Sequence, residues 1–327
     1  MLRYLKASRY FKKHPSIGLD IGTDEIRLLQ LKSTSDGFQI EKLICQKLPT
    51  EAALTGSDIY WKSVEALLSH IVSESKLSNA TAVLAIPNHQ VLQKQIQLPA
   101  SIHEEDLQKE IKERLIEYFP NSSPQELYFD FMLGQTRDEM HSLSLLAARH
   151  DVMQLYLQAA TRSGLNVSIA DVDLYARVRA GSFYFSRQTD VSGNAAAWLD
   201  LHWPFATMMV FLNGTSVFQH AWQVHGLGSG LGLGSGPRFF QELKAVWQMA
   251  VSDCASCRIE WMGISGFREE HQSMMSQIEE QCAIPVRPVD PLSVMTHASS
   301  LDPVTIKSAS THFLLCAGLA MRGAHQE

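Results

Sequence analysis

The sequence predicts an α/β protein of two lobes, in which a smaller α/β subdomain interrupts the first lobe and the second lobe is reduced. Three observations lead there. Apolar runs of strand length alternate with helical spacing along the whole chain. A strand that carries an aspartate and continues into a hairpin occurs twice, at Asp20 and again at Asp200. Between them lies a segment with helix start and stop signals of its own. The 327 residues, 45% of them hydrophobic, are enough for more than one core and exclude disorder throughout.

The first lobe opens at Ser16. SIGLDIGTDEIRLLQL reads as a short apolar strand, a turn at Gly22 and Thr23, and a second strand of period two. Asp36 and Gly37 supply the next turn before FQIEKLICQKL, which gives a three-stranded meander. Residues 61–72 carry Val64, Leu67, Leu68, Ile71 and Val72 at helical spacing, and AVLAIP at 82–87 is a buried strand. In SIHEEDLQKEIKERLIEYFP, Ser101 and Glu104 form a capping box, Leu107, Ile111 and Leu115 recur every four residues, and Pro120 ends the helix. Two strands, around 125–133 and 142–147, a helix over 151–163 and the strand VSIADVD complete the unit.

The second lobe starts with AAAWLDLH and ATMMVFLNGTSVFQHAWQV, two or three strands joined at Asn213 and Gly214. GLGSGLGLGSG then places glycine at every second position from Gly226 to Gly236, which predicts a linker, because so many glycines raise the entropy cost of a regular element. A helix over 239–251, the strand RIEWMGIS, a helix over 269–281, a short strand at IPVRPV and a final helix in FLLCAGLAMRG follow. The expected division is a basic leader at 1–15, a first lobe at 16–89 and 165–192, an inserted subdomain at 90–164, and a second lobe at 193–327 that holds the linker 226–236.

Composition narrows the function. A formal net charge of -6 and a pI near 6.1 give no global cationic field, so nucleic-acid binding over the whole surface is not implied. Five cysteines, an odd number scattered through a long chain, point to a reducing compartment. Cys254 and Cys257 form a C-x-x-C pair, but a zinc site needs about four ligands and no second pair has metal spacing. In the leader, Arg3, Lys6, Arg9, Lys12 and Lys13 break up the apolar residues, so it is not a signal peptide and is expected to be retained. Two readings of it stand: contact with anionic headgroups, at about 1 kcal/mol per basic side chain, or a solvated lead-in to the first strand. Residues 201–237 lack Asp, Glu, Lys and Arg, yet His202, Pro204, Asn213 and the glycines interrupt them, so no membrane-spanning run survives. Membrane association is expected to be peripheral or through a partner.

The two-lobed pattern with D-I-G-T after the first strand is similar to the actin-like ATPase superfamily, with its RNase H-like lobes. The middle of the chain is closer to one family. The AIP strand end, QIQLPASIHEEDLQKEI, IEYFP, the YFDF strand, SLLAARHDVMQLYLQAATRSGL and ADVDLYARVRA resemble, in order and spacing, the PilM pilus-assembly family, relatives of the division protein FtsA. The resemblance covers residues 16–325. It implies an extra subdomain within the first lobe, a nucleotide cleft between the lobes, and docking of the short cytoplasmic tail of the inner-membrane protein PilN.

Carried over residue by residue, the resemblance implies a degenerate nucleotide site. Asp20, Gly22 and Thr23 match the first phosphate loop, where glycine lets backbone N–H groups approach phosphate and a carboxylate holds the hydration shell of magnesium. Asp200 stands at the carboxylate position of the second loop, but His202 replaces the expected glycine and Trp203-Pro204 follows; Trp203 would either fill the cleft or, the favoured reading, be a buried anchor between the lobes. Ser265-Gly266 keeps one glycine of the pair where adenosine would rest. The long helical insertion that covers the base in relatives is missing between His225 and Arg258. No G-x-x-x-x-G-K-[ST], G-x-S-x-G or H-E-x-x-H occurs.

These readings make the chain a non-catalytic scaffold of the type IV pilus inner-membrane platform, cytoplasmic and peripheral to the membrane, that binds a PilN-like tail and other platform proteins. No cofactor is expected, or Mg-ATP at low affinity only. The alternatives are an active actin-like ATPase whose nucleotide state controls partner binding, and the equivalent component of a related secretion system.

Overall fold

The computed structural model describes residues 16–49, 57–102, 104–120, 122–137, 139–188, 194–224, 237–254, 257–266 and 272–324. The leader and the glycine tract fall outside these residues.

The first sheet grows from β1 (Ser16–Ile21), buried along its whole length. It pairs antiparallel with β2 (Glu25–Thr34), which pairs with β3 (Gly37–Lys47), the predicted meander. On the other side β4 (Thr81–Ile86) and β8 (Asn166–Val172) add in parallel. Helix α1 (Asp58–Glu74) begins where the Ser57 hydroxyl accepts the Tyr60 N–H at 3.1 Å, and Val64, Leu68 and Ile71 face the sheet at helical spacing.

The subdomain is a three-stranded antiparallel sheet in the order β5 (Val91–Pro99), β7 (Met140–Arg149), β6 (Leu127–Arg137). Helix α2 (Glu104–Tyr118) covers it through Leu107, Ile111 and Leu115. The capping box at Ser101 is displaced: α2 starts at Glu104 and Ser101 sits in the turn before it. Helix α3 (His150–Arg162) falls inside the predicted boundary of the insert, yet Met153, Ala159 and Ala160 join the core of the first lobe and the helix packs on α1.

Helix α4 (Asp173–Ser186) follows β8 and leads to the second sheet. That sheet has β9 (Ala195–His202) at its centre, β10 (Phe205–Leu212) and β11 (Thr215–Gln223) antiparallel on one side, and β12 (Ile259–Ser265) and β13 (Val286–Pro288) parallel on the other. Asn213 and Gly214, both at positive φ, make the β10–β11 turn, as their sequence predicts. α5 (Pro237–Asp253) and α6 (Gln272–Cys282) lie on one face.

The two sheets share one topology: a central strand, a two-strand meander on one side and two parallel strands on the other. β1 and β9 are equivalent, so Asp20 and Asp200 occupy matching places near the carboxyl ends of matching strands. The chain then returns. β14 (Thr296–His297) pairs with β3, and after α7 (Pro303–Ala309) the last helix, α8 (Leu314–Ala324), packs against β1, β2, β4 and α4. The C-terminal helix, placed with the second lobe by sequence order, is therefore covered by the first. Sequence order alone does not determine which sheet a returning helix covers.

Candidate functional site

A cavity of about 540 Å³ opens between the lobes. The β1–β2 turn, the start of α1, the connection from β4 to β5, one face of α3 and the β9–β10 turn from the second lobe build it. Asp20, Gly22 and Thr23 line it as the sequence predicts, whereas Asp200, Ser265 and Gly266 do not.

The turn after β1 is closed by its own chain. The Gly22 N–H donates to the Glu25 carbonyl at 3.0 Å, and the Gly22 carbonyl accepts from the Tyr60 hydroxyl at 2.7 Å. A Cβ at Gly22 would lie 2.9 Å from the Glu25 carbonyl oxygen, so the glycine satisfies the turn itself. Burial pushes the Tyr60 phenol above its usual range, which keeps it a donor. The first backbone N–H expected to meet a phosphate is thus already used.

Asp20 faces Arg27 directly across the β1–β2 ladder, and the Arg27 guanidinium donates to it at 2.8 Å while also bridging Glu25. Burial works against the charge of Arg27, but Asp20 and Glu25 outweigh it and raise its pKa. The ladder turns about Thr23 and Asp24, which sets residue 20 opposite 27, whereas a two-residue turn at Gly22 and Thr23 would have set it opposite 25.

Asp200 is held in the same way. Arg177, on α4 and 2% exposed, donates through Nε to Asp200 Oδ2 at 2.7 Å and places Nη1 3.0 Å from Asp173 Oδ2. The Ser265 hydroxyl donates to Asp200 Oδ1 at 2.5 Å and accepts from Trp198 Nε1 at 2.8 Å. His202 Nδ1 stands 3.3 Å from Asp200 Oδ2. Burial alone would raise the Asp200 pKa; His202, Arg177 and Ser265 reverse the sign and hold the carboxyl well below the usual carboxylate range. Sequence reasoning missed Arg177, since an arginine in a helical stretch reads as surface by residue type.

The adenosine position is also tied inward. Ser265 is fully buried in the Asp200 network. The Gly266 N–H donates to the Thr311 carbonyl at 2.7 Å, and a Cβ there would lie 2.0 Å from the Leu201 carbonyl oxygen. Its glycine is needed for chain crossing.

What lines the cavity instead is aromatic. Trp61 meets Tyr60 and Tyr156 edge to face at 5.1 and 4.8 Å, and His89 stacks on Phe205 of the second lobe at 4.4 Å. Trp203 lines the cavity with 40% of its surface exposed, so it is not the buried interlobe anchor expected from sequence. The residues present do not fit magnesium nucleotide: Asp20 and Asp200 each carry an arginine, and His202 stands where a glycine would let backbone approach phosphate.

The C-x-x-C pair lies elsewhere, at the end of α5. Burial pushes the Cys254 thiol up to about 11, so it stays protonated and unreactive at neutral pH. No helix among the described residues is long and apolar enough to cross a membrane.

The family described as Type IV pilus assembly protein PilM matches residues 18–228. Among solved structures, a PilM-PilN type IV pilus biogenesis complex superposes at a TM-score of 0.74 with 15% identity, over 96% of this chain and 100% of that one. A Bacteroides thetaiotaomicron protein with an actin-like ATPase fold and unknown function matches at 0.48 and 10% identity, over 85% and 92% of the two chains. The ethanolamine utilization protein EutJ from Carboxydothermus hydrogenoformans matches at 0.47 and 8%, over 94% and 89%. The last two are too distant to carry an argument. The first bears out the two-lobed actin-like fold.

Proposed function

The chain belongs to the type IV pilus assembly protein PilM family, and on that premise we propose that it is a non-catalytic scaffold of the pilus inner-membrane platform. Its partner is the cytoplasmic N-terminal tail of a PilN-like inner-membrane protein, and it works on the cytoplasmic face of that membrane, recruited through this partner and other platform proteins. Such a tail can be held by a groove that does not itself enter the bilayer.

The observation that carries the non-catalytic part is the pairing of Asp20 with Arg27 and of Asp200 with Arg177, at 2.8 and 2.7 Å. Phosphoryl transfer is positioning plus electrostatic stabilisation by metal and donors. Here the acids are neutralised by the chain and the Gly22 N–H is consumed by the turn.

The purified protein is expected to bind the PilN-tail peptide of its own organism in calorimetry, with a saturable isotherm. Absence of binding at high micromolar peptide sinks the partner reading. In a separate measurement, Mg-ATP at millimolar concentration is expected to leave the melting temperature unchanged, because a ligand stabilises only in proportion to its binding to the folded state. Low-micromolar affinity for Mg-ATP, abolished by Asp20→Ala in a folded protein, would instead restore an active ATPase.

A further inference from the structure

The cleft keeps Asp20, Asp24 and Asp173 on its wall and Asp200 just behind it, which on charge alone would attract a divalent cation. Five of the six oxygens of Asp20, Asp173 and Asp200 are engaged by the chain. Asp200 Oδ2 takes Arg177 and Oδ1 takes Ser265. Asp173 Oδ2 lies 3.0 Å from Arg177 Nη1, and Oδ1 accepts the Asn88 N–H at 2.9 Å. Asp20 Oδ2 takes Arg27.

The arginines are built in, not draped over. Arg177 is 2% exposed and Arg27 has 13% of its side chain exposed. Arg177 reaches from α4, which follows the first-lobe strand β8, to Asp200 on the central strand of the second lobe. Its guanidinium therefore does two things: it cancels the charge of the acids, and it ties the lobes together at the point where the two sheets face each other.

We propose that Arg27 and Arg177 are resident cations that take the place of a divalent metal ion between the lobes, so that this site excludes such ions and the closure of the lobes is set by the chain itself. The inference rests on the non-catalytic part of the proposed function and is independent of the partner. A positive guanidinium between two carboxylates repels a second cation, and none of Asp20, Asp173 and Asp200 keeps both oxygens free for its hydration shell. Unlike a metal, an arginine neither arrives nor leaves, so the lobes are not opened and closed by a ligand here.

The test uses Mn²⁺ alone on the full-length protein, read by electron paramagnetic resonance of the free ion and by calorimetry. The parent protein is expected to show no saturable Mn²⁺ binding up to about 1 mM, the weak end of protein cation sites. Arg27→Gln and Arg177→Gln are each expected to create saturable binding at least about tenfold tighter. Arg177→Lys, which keeps the charge, is expected to go on excluding Mn²⁺; a role in packing alone predicts no such difference between Gln and Lys. If Arg177→Gln does not fold, Arg27→Gln, on the more exposed pair, decides. Saturable binding by the parent that Asp20→Asn removes, or a folded Arg27→Gln with no gain, overturns the proposal. Peptide binding is measured separately, so failure of the partner reading leaves this result standing.

Discussion

Replacing Asp200 by alanine is expected to lower the stability of the protein by about 3–5 kcal/mol, the cost of removing one partner from a buried ion pair. Arg177, at 2% exposure, would keep Asp173 but lose its 2.7 Å contact to the second lobe. The Ser265 hydroxyl would lose its acceptor while still receiving the Trp198 N–H. For a chain of 327 residues the entropy of unfolding converts this to a fall of roughly 5 °C in melting temperature. The pH dependence has a definite sign. Asp200 is held below the usual carboxylate range, so the folded state takes up its proton less readily than the unfolded chain. Its contribution is therefore full above about pH 4, the ordinary carboxylate value, and disappears as the pH falls through the depressed folded value. Urea midpoints of the parent should begin to drop as the pH falls below about 4 and go on dropping toward the depressed folded value, and the difference between parent and Asp200→Ala should shrink over the same descent. A loss under about 1 kcal/mol at pH 7, or a gap that does not narrow in acid, means that the network does not hold the lobes.

How far the sequence could be read depends on how one-sided each element is. β1 and the two hairpins were legible because apolar runs stop at residues with turn chemistry, and Asn213-Gly214 folds as that pair predicts. β5 was missed because VLQKQIQLP breaks the alternation that marks a strand: three polar residues, Gln93 to Gln95, separate the buried Val91 from the buried Ile96 and Leu98. α4 was missed for the opposite reason. It is covered from several sides, with Leu174, Ala176, Arg177, Ala180 and Phe185 all buried, so no single apolar stripe marks it. The same helix carries the residue that rewrites the site. Asp20 and Asp200 stand near the carboxyl ends of equivalent strands, but only Asp20 reaches the cavity, because spacing along the chain does not reveal what a carboxylate points at. Arg27 needed the true hairpin register, two residues longer than a turn at Gly22 and Thr23 implies, and Arg177 meets Asp200 only after α4 has packed against the second lobe.

The second large effect is expected at Gly318, and here two principles predict opposite signs. Gly318 lies in the middle of α8, where alanine is favoured over glycine by about 1 kcal/mol in intrinsic propensity. In this helix a Cβ would stand 1.8 Å from the carbonyl oxygen of Ala176 in α4, a backbone atom that no rotamer change can move aside. The opposite face of the crossing is equally tight, since a Cβ at Gly18 in β1 would lie 2.1 Å from the Cys316 carbonyl oxygen. α8 is therefore clamped between a strand and a helix and has no direction in which to yield. Every residue from Leu314 to Met321 is buried, so a shift of the helix disturbs the whole seam. Overpacking costs about 1–3 kcal/mol where side chains can adjust and more where they cannot, which exceeds the propensity gain. Gly318→Ala is thus expected to be destabilised by about 3 kcal/mol net. The Gly318 carbonyl also accepts from Arg179 at 2.8 Å, and Ala176 adjoins Arg177, so the displacement should weaken the Arg177–Asp200 contact as well. Urea denaturation of Gly318→Ala and of the double variant with Asp200→Ala tests this. The combined loss should fall short of the sum of the two single losses, because both act through α4. A Gly318→Ala protein as stable as its parent would mean that α8 does not lie on α4 as described.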